Sequence, residues 1–124
     1  MQTPILKQGA NLIATVQAAL SDADFEQLRR NLMTQVGRFR SRGVIIDVTA
    51  VDVMDSFACR TLRDMSTMIA LRGAETVVVG IQPEVAFSMV QLGSTLEGVR
   101  TALDLEEGLA YLEEVQSRNK QGPP

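Results

Sequence analysis

The chain has 124 residues, of which 45% are hydrophobic and 22% charged, which is ordinary for a globular domain that buries its own core. Its 12 basic and 15 acidic residues give a net charge of −3, so the positive field that attracts nucleic acid is missing. Histidine is absent and no glycine-rich phosphate loop occurs. These absences exclude histidine-dependent nucleophilic sites, imidazole zinc sites and the common nucleotide loops, so we predict no catalytic site, cofactor or metal.

The N-terminal segment predicts an antiparallel pair of short strands. Pro4 to Lys7 and Leu12 to Val16 are the two strands, and Gly9 lies in the turn between them. Both strands are neutral or basic. A receiver-like site, which needs acidic residues after two different strands, is therefore not predicted.

A long helix is predicted from Ser21, its N-cap, to about Arg40, and Gly43 is predicted to end it. Apolar residues at helical spacing mark its buried side: Phe25, Leu28, Leu32, Val36 and Phe39. The same segment carries five arginines: Arg29, Arg30, Arg38, Arg40 and Arg42. Because acidic residues at the start and basic residues at the end of a helix suit its dipole, we interpret these arginines as a solvated helix face.

Two apolar runs predict buried central strands. GVIIDV follows the first helix and ETVVVGI follows the second, and continuous β-branched runs are typical of strands covered on both faces. The second helix follows Ser56 and stops at Gly73, with Cys59 as a small buried residue near its start. Its core stripe consists of Ala58, Leu62, Met65 and Ile69.

The last part of the chain predicts two helices and one short strand. The third helix runs from Pro83 through Leu92, and Gly93 stops it. A short strand passes through Val99 to Thr101, and a fourth helix covers Leu105 to Val115.

This order of elements predicts an α/β fold. The sheet is small and mixed, with its first strand antiparallel and the remainder mainly parallel, and about four helices pack mainly on one side. Functional loops are expected where strands lead into helices. We predict one domain over residues 1–116 and a disordered tail over residues 117–124.

The expected compartment is the cytoplasm, without a membrane partner. The apolar runs are too short to span a bilayer, and the N-terminus has no export signal. The single cysteine cannot form an internal disulfide, which agrees with a reducing compartment.

Ser56 lies between an acidic loop and the second helix, in the stretch VDVMDSF. A serine there commonly caps the helix, because its oxygen accepts a hydrogen bond from a first-turn N–H. The alternative is a hydroxyl displayed for modification, since a phosphate would meet free N–H groups and the positive end of the dipole. Asp47 and Asp52 are interpreted as turn residues whose carboxylates bond nearby backbone N–H groups.

The stretch IIDVTAVDVMDSFACRTL and the order of elements resemble the STAS-domain family, and in particular its anti-sigma-factor antagonists. Two further segments, TPILKQGANLIATVQAALSD and VVGIQPEVAFSMVQLGSTLEGVRTALDLEEGLAYL, resemble the single-domain scaffold proteins of the bacterial stressosome. The resemblance covers nearly the whole chain. It implies that the serine matched by Ser56 is phosphorylated.

The same resemblance implies a non-catalytic scaffold in stress signalling. Such a scaffold self-associates, binds RsbR-like sensor paralogues and an RsbT-like serine kinase, and releases the kinase when Ser56 is phosphorylated. The sequence contains no extra sensory domain, which favours the scaffold over the sensor. We expect the kinase to meet a partner-binding rim, hereafter the rim, which faces outward and consists of Asp52, Asp55, Ser56 and Phe57. Thr49 and Thr61 are secondary phosphosite candidates.

Two alternatives to the scaffold are open. One is a free antagonist that binds an anti-sigma factor directly and is inactivated by phosphorylation. The other is an enzyme or small-ligand binder that uses the loops at the carboxyl ends of the strands. The missing histidine and phosphate loop disfavour this last alternative most strongly.

Overall fold

The computed structural model describes residues 3–18 and 20–120. These residues form the following elements, in chain order: β1 (Ile5–Gln8), β2 (Asn11–Thr15), α1 (Asp22–Phe39), β3 (Gly43–Asp47), α2 (Ser56–Leu71), β4 (Glu75–Val79), α3 (Pro83–Leu92), β5 (Arg100–Ala102) and α4 (Leu105–Lys120). Each predicted strand and helix is present, with bounds that differ by a few residues.

The strands form a single sheet in the order β1-β2-β3-β4-β5. β1 pairs antiparallel with β2, and all the remaining pairs are parallel. The turn between β1 and β2 contains Gly9, whose φ of 59° lies in the left-handed region that glycine adopts without strain. This mixed sheet confirms the predicted fold. We call the end at which the parallel strands finish the carboxyl edge, and the opposite end the amino edge.

The sheet is covered on both faces, with three of the four described helices on one side. In β3, Val44 and Ile46 face α1, α2 and α3, whereas Ile45 faces α4 and contacts a smaller core around Leu112. This alternation follows from the two-residue period of a strand. Large side chains from the helices fill the main core: Leu28, Leu32, Leu62, Met65 and Ile69. Continuous apolar runs were therefore a correct signal for central strands.

Arg40 ends α1, so the prediction that Gly43 ends it is wrong. Arg40 adopts the left-handed conformation, with φ of 50°, and its N–H points to the carbonyl oxygens of Gly37 and Val36. Gly43 instead begins β3, where a Cβ would lie 2.8 Å from a methyl carbon of Leu112. The glycine at position 43 thus makes room for α4, which is far away in sequence.

The predicted disordered tail begins too early, because α4 continues through Lys120. Glu114 and Arg118 are four residues apart on this helix, and their charged atoms lie 3.9 Å from each other. No glycine or proline occurs between Gly108 and Gly122, so intrinsic helix propensity allows α4 to continue beyond Val115. The remainder of the predicted tail, residues 121–124, lies outside the described residues.

Phe39 was predicted on the buried side of α1, but it is 37% exposed. The ammonium group of Lys7 and the guanidinium of Arg38 lie 5.8 Å and 5.3 Å from the centre of its ring. Lys7 belongs to the edge strand β1. The last turn of α1 therefore lies at the border of the sheet, where the core ends.

Candidate functional site

The loop between β3 and α2, residues 48–55, lies at the carboxyl edge of the sheet. Val51 and Met54 are buried, with 3% and 5% of their surfaces exposed, whereas Asp52 and Val53 between them are exposed. The buried pair anchors the loop to the main core. Asp52 is therefore held outward by its neighbours, and it forms none of the turn hydrogen bonds predicted for it within the described residues.

Cys59 lies beneath this loop and is buried, as predicted. Its thiol lies 4.0 Å from the Met54 carbonyl oxygen and 3.6 Å from that of Ser94. Burial raises the pKa of the Cys59 thiol above its ordinary value; the Arg63 guanidinium opposes this rise and Asp55 adds to it. The thiol is therefore protonated near neutral pH, and burial with protonation is typical of a structural cysteine.

Asp55 caps α2, so the capping interpretation of Ser56 is wrong. Asp55 has extended backbone angles, with φ −79° and ψ 179°, and its Oδ1 accepts a hydrogen bond from the Ala58 N–H at 2.8 Å. Ser56 is the first residue of the helix. Aspartate and serine are both favoured caps, so the dipeptide alone was compatible with either residue in this role.

The Ser56 side chain is exposed and has no hydrogen-bond partner in the part of the chain that the structure describes. The backbone N–H groups of Ser56 and Phe57 also lack acceptors there, as is usual in the first turn of a helix. A phosphate on this hydroxyl would lie close to those donors and to the positive end of the α2 dipole. The hydroxyl thus has no structural role that competes with modification.

The rim combines exposed polar residues with one packed aromatic ring. Asp52, Asp55 and Ser56 are exposed, whereas Phe57 is half-buried. The Phe57 ring meets Phe25 of α1 edge to face, with the ring centroids 6.5 Å apart and the planes at 69°. Phe57 therefore holds the start of α2 against α1 instead of facing outward as expected, and the accessible charge of the rim is acidic.

A hydrogen-bond network connects the β3–α2 loop to the β4–α3 loop. Asp47 Oδ1 accepts bonds from the Thr49 N–H at 2.9 Å and the Thr49 hydroxyl at 2.6 Å, which confirms its predicted role in a turn. Gln82 Nε2 donates to the Thr49 carbonyl oxygen at 2.7 Å. Gly80 lies against the Thr49 side chain with a positive φ of 83°. Sequence reasoning missed Gln82 and Gly80, because only the parallel pairing of β3 with β4 brings them to this loop.

The two secondary phosphosite candidates differ in accessibility. Thr49 is exposed, although its hydroxyl is already bonded to Asp47. Thr61 is 7% exposed and belongs to the buried side of α2. A kinase can approach Thr49 in the folded protein, whereas Thr61 requires α2 to open.

Arg60 is a charged residue near Ser56 that sequence reasoning missed. It is exposed on α2, and its guanidinium has no partner among the residues described. Residues four apart on a helix are neighbours on its surface, so Arg60 lies on the Ser56 side of α2. This spacing is the signal that identifies Arg60 as a cation available to a phosphate on Ser56.

α3 presents an apolar surface to solvent. Phe87, Val90 and Leu92 are 65%, 74% and 69% exposed. Val90 also lines a cavity of about 290 Å³ together with Ile81 and Leu96. Phe87 and Val90 are three residues apart and are neighbours on the surface of α3, whereas Leu92 lies two residues after Val90 and faces another side of the helix. Neighbouring exposed apolar side chains commonly mark interaction sites.

The described residues contain no group of three or more His, Cys, Asp or Glu side chains arranged to hold a metal ion. Within the same residues, no helix has both the length and the apolar character that crossing a membrane requires. The distinctive chemistry of the carboxyl edge is thus an exposed hydroxyl among acidic side chains.

Comparison with known protein families and sequences identifies the family to which the chain belongs. A family model of the STAS domain matches residues 3–108. The chain belongs to the STAS-domain family. The RsbT co-antagonist protein RsbRA of Bacillus subtilis is 31% identical over 121 residues, which make up 95% of this chain and 43% of RsbRA. The chain therefore spans less than half the length of that relative.

Solved structures extend this similarity to the stressosome. RsbS of Moorella thermoacetica, in a serine-to-glutamate variant, is 30% identical with a TM-score of 0.80, covering 94% of this chain and 99% of RsbS. A chain from a structure of the stressosome, described as a signal integration and transduction hub, is 33% identical with a TM-score of 0.76, covering 91% and 98% of the two chains. The anti-sigma factor antagonist SpoIIAA, in its unphosphorylated form, is 14% identical with a TM-score of 0.66 and shares the fold alone. The predicted resemblance to STAS and stressosome proteins is confirmed.

Proposed function

We propose that the protein is a non-catalytic scaffold and phospho-switch of a bacterial stressosome, of the RsbS type. In this function it binds RsbR-like sensor paralogues and an RsbT-like serine kinase, and it releases the kinase when Ser56 is phosphorylated. The observation that carries the proposal is the exposed Ser56 hydroxyl, which has no bonding partner in the described chain and lies beside acidic residues at the start of α2.

The charge of the rim explains why phosphorylation would release a partner. Phosphate adds about −1.5 to −2 charges at neutral pH. Arg60 and the positive end of α2 supply at most about +1.5 charges in return, since the helix end amounts to about half a charge. Asp52 and Asp55 remain exposed beside the phosphate. The modified rim is therefore strongly acidic, and a partner surface fitted to the neutral hydroxyl loses affinity.

The apolar surface of α3 supports a second, more durable contact. Phe87 and Val90 carry no charge that phosphorylation would change, and apolar side chains form the centre of lasting interfaces. A stable interface buries more than about 1,000 Å² in total, so it needs more than these two side chains. We place the contact with the RsbR-like paralogue on α3 and the contact with the kinase on the rim.

Phosphosite mapping and pull-down with the RsbT-like kinase test the switch. We expect Ser56 to carry the phosphate, Ser56→Ala to retain the kinase in the presence of ATP, and Ser56→Asp to bind it at least about tenfold more weakly. Ser117→Asp, on the exposed side of α4, is the matched control and should bind normally. Phosphate on Thr49 with Ser56 unmodified would contradict the assignment.

Light scattering of the protein mixed with its RsbR-like paralogue tests the scaffold. We expect a large particle that Val90→Glu disrupts and that Ser56→Asp leaves intact. Ala110→Glu places the same charge on an exposed position of α4 and should have no effect. A monomer at every ratio and concentration would exclude the scaffold and favour the free anti-sigma-factor antagonist.

A further inference from the structure

The amino edge of the sheet contains a cavity of about 340 Å³ between the ends of α1 and α2. Arg40, Arg42 and Arg72 line it, and no acidic residue does. None of the three guanidinium groups forms an ion pair or hydrogen bond with another residue of the described chain. This edge is opposite to the one that carries Ser56, so the cavity is separate from the rim.

Ser41 adds a polar group to the same cavity. It is 5% exposed, and its hydroxyl has no hydrogen-bond partner within residues 3–18 and 20–120. Ser41 lines the cavity and its hydroxyl keeps access to solvent, so it can bond water or a ligand there. The cavity therefore offers three cations and one hydroxyl, all of which can donate to an anion.

Gly37 also lines the cavity, and the stability of α1 does not explain why residue 37 is a glycine. A glycine within a helix lowers the stability of the helix by about 1 kcal/mol relative to alanine, yet Gly37 lies in the last turn of α1. A Cβ at this position would lie 2.5 Å from Arg72 Nη2. The absence of a side chain at residue 37 thus allows the Arg72 guanidinium to lie against the backbone of α1, beside the other two arginines.

The local charges favour an anion. The helix ends next to the cavity are carboxyl ends, and each contributes about −0.5 charge. The three positive charges of the guanidinium groups exceed the negative charge of these two helix ends, which leaves a net charge of about +2 at the cavity. Glu75 borders a neighbouring cavity that also contains Arg42, but its carboxylate accepts a bond from the Tyr111 hydroxyl at 3.3 Å and pairs with no arginine.

We propose that the cavity between α1 and α2 binds an anion with two or more phosphate groups, held by Arg40, Arg42 and Arg72. One guanidinium group can bind a phosphate through two parallel N–H···O bonds, and several such groups lining one cavity favour a ligand with several phosphates over a single small ion. Free pyrophosphate and the phosphate tail of a nucleotide share this chemistry.

Calorimetric titration of the purified chain with pyrophosphate, ATP and sulfate tests the proposal at an ionic strength of about 0.1 M, where exposed charges are partly screened. We expect a Kd below about 1 mM for pyrophosphate and weaker binding of sulfate. If ATP binds as tightly as pyrophosphate does, the phosphate tail is the recognised group. If ATP does not bind, the site is specific for free pyrophosphate. Equal affinity for sulfate, or no pyrophosphate binding up to about 10 mM, would overturn the proposal.

Variants locate the binding. Arg72→Ala and Arg40→Gly should each weaken pyrophosphate binding about tenfold, and glycine suits the positive φ of residue 40. Gly37→Ala keeps all three arginines but displaces Arg72, so it should weaken binding several-fold without loss of stability. Arg30→Ala, on an exposed part of α1 outside the cavity, is the matched control. If it weakens binding as much as Arg72→Ala does, diffuse charge accounts for the binding and the site is refuted.

Discussion

The two ends of the sheet differ in how their polar groups are satisfied. At the carboxyl edge, hydrogen bonds from Thr49 to Asp47 and from Gln82 to Thr49 join neighbouring loops, and Asp55 caps α2. At the amino edge, the guanidinium groups of Arg40 and Arg72 have no partner in the described chain. The first end is therefore held rigidly around one free hydroxyl, whereas the second keeps its charges available.

In the proposed functions, the bonded polar groups of the carboxyl edge and the unbonded ones of the amino edge have separate uses. A switch that depends on a single hydroxyl needs a backbone whose geometry is held by its neighbours. A site that attracts anions needs cations that are not already neutralised. The comparison predicts that substitutions of bonded or closely packed residues at the carboxyl edge cost more stability than matched substitutions at the amino edge.

The largest expected effect follows Gly80→Ala at the carboxyl edge. Residue 80 has φ of 83°, and an added Cβ would collide with the Thr49 side chain and lie 3.2 Å from Asp47 Oδ1. We expect a loss of about 3 kcal/mol in unfolding free energy, from left-handed strain and overpacking together. Chemical denaturation measures it.

Gly73→Ala is the matched control for this prediction at the amino edge. Residue 73 has a similar φ of 87°, but an added Cβ would meet nothing within 4 Å. Only the conformational strain remains, so we expect a loss of about 1–2 kcal/mol. Equal losses in the two variants would show that the contacts around Thr49 contribute nothing.

A smaller effect distinguishes Asp55 from Ser56. Asp55→Ala removes the cap of α2 and should lower the unfolding free energy by about 1 kcal/mol. Ser56→Ala should stay within about 0.5 kcal/mol of the wild type, because the hydroxyl forms no bond within the described structure. Thermal or urea unfolding of both variants gives the comparison. A larger loss for Ser56→Ala would place the capping group on the serine after all.

Arg40→Gly should raise stability at the amino edge by about 0.5–1 kcal/mol. An arginine with φ of 50° is strained, and glycine relieves that strain at a smaller cost in chain entropy. Arg42→Gly is the control, since position 42 has no positive φ and gains nothing from glycine. Urea midpoints that move in the same direction for both variants would contradict the assigned conformation.

The smallest expected effect concerns the pH dependence due to Cys59. Its pKa is raised in the folded state, so its contribution to stability is complete below the pKa of the unfolded thiol and declines as pH rises through the folded pKa. Comparison of the wild type with Cys59→Ala should show an extra decline of less than about 1 kcal/mol between pH 8 and 10. Parallel curves for the two proteins would mean that the thiol is not desolvated.

Much of the fold could be predicted from local patterns. The β-branched runs identified β3 and β4, helical spacing identified the buried sides of α1 and α2, and Gly93 correctly ended α3. These signals depend on periodicity and on short-range backbone preferences, which act within one element. The position of Ser56 at the start of a helix, beside acidic residues, could also be predicted from the local sequence.

Contacts between distant parts of the chain were decided by the tertiary structure alone. Gly43 was taken for a helix stop because glycine often ends helices, yet its role is to admit Leu112 of α4. Phe57 was placed outward, but Phe25 of α1 packs against it. The cavity lined by Arg40 and Arg72 exists because α1 and α2 end at the same edge of the sheet. Sequence spacing carries no information about such distant pairs, since they meet only after the strands have paired and both helices have packed on the sheet.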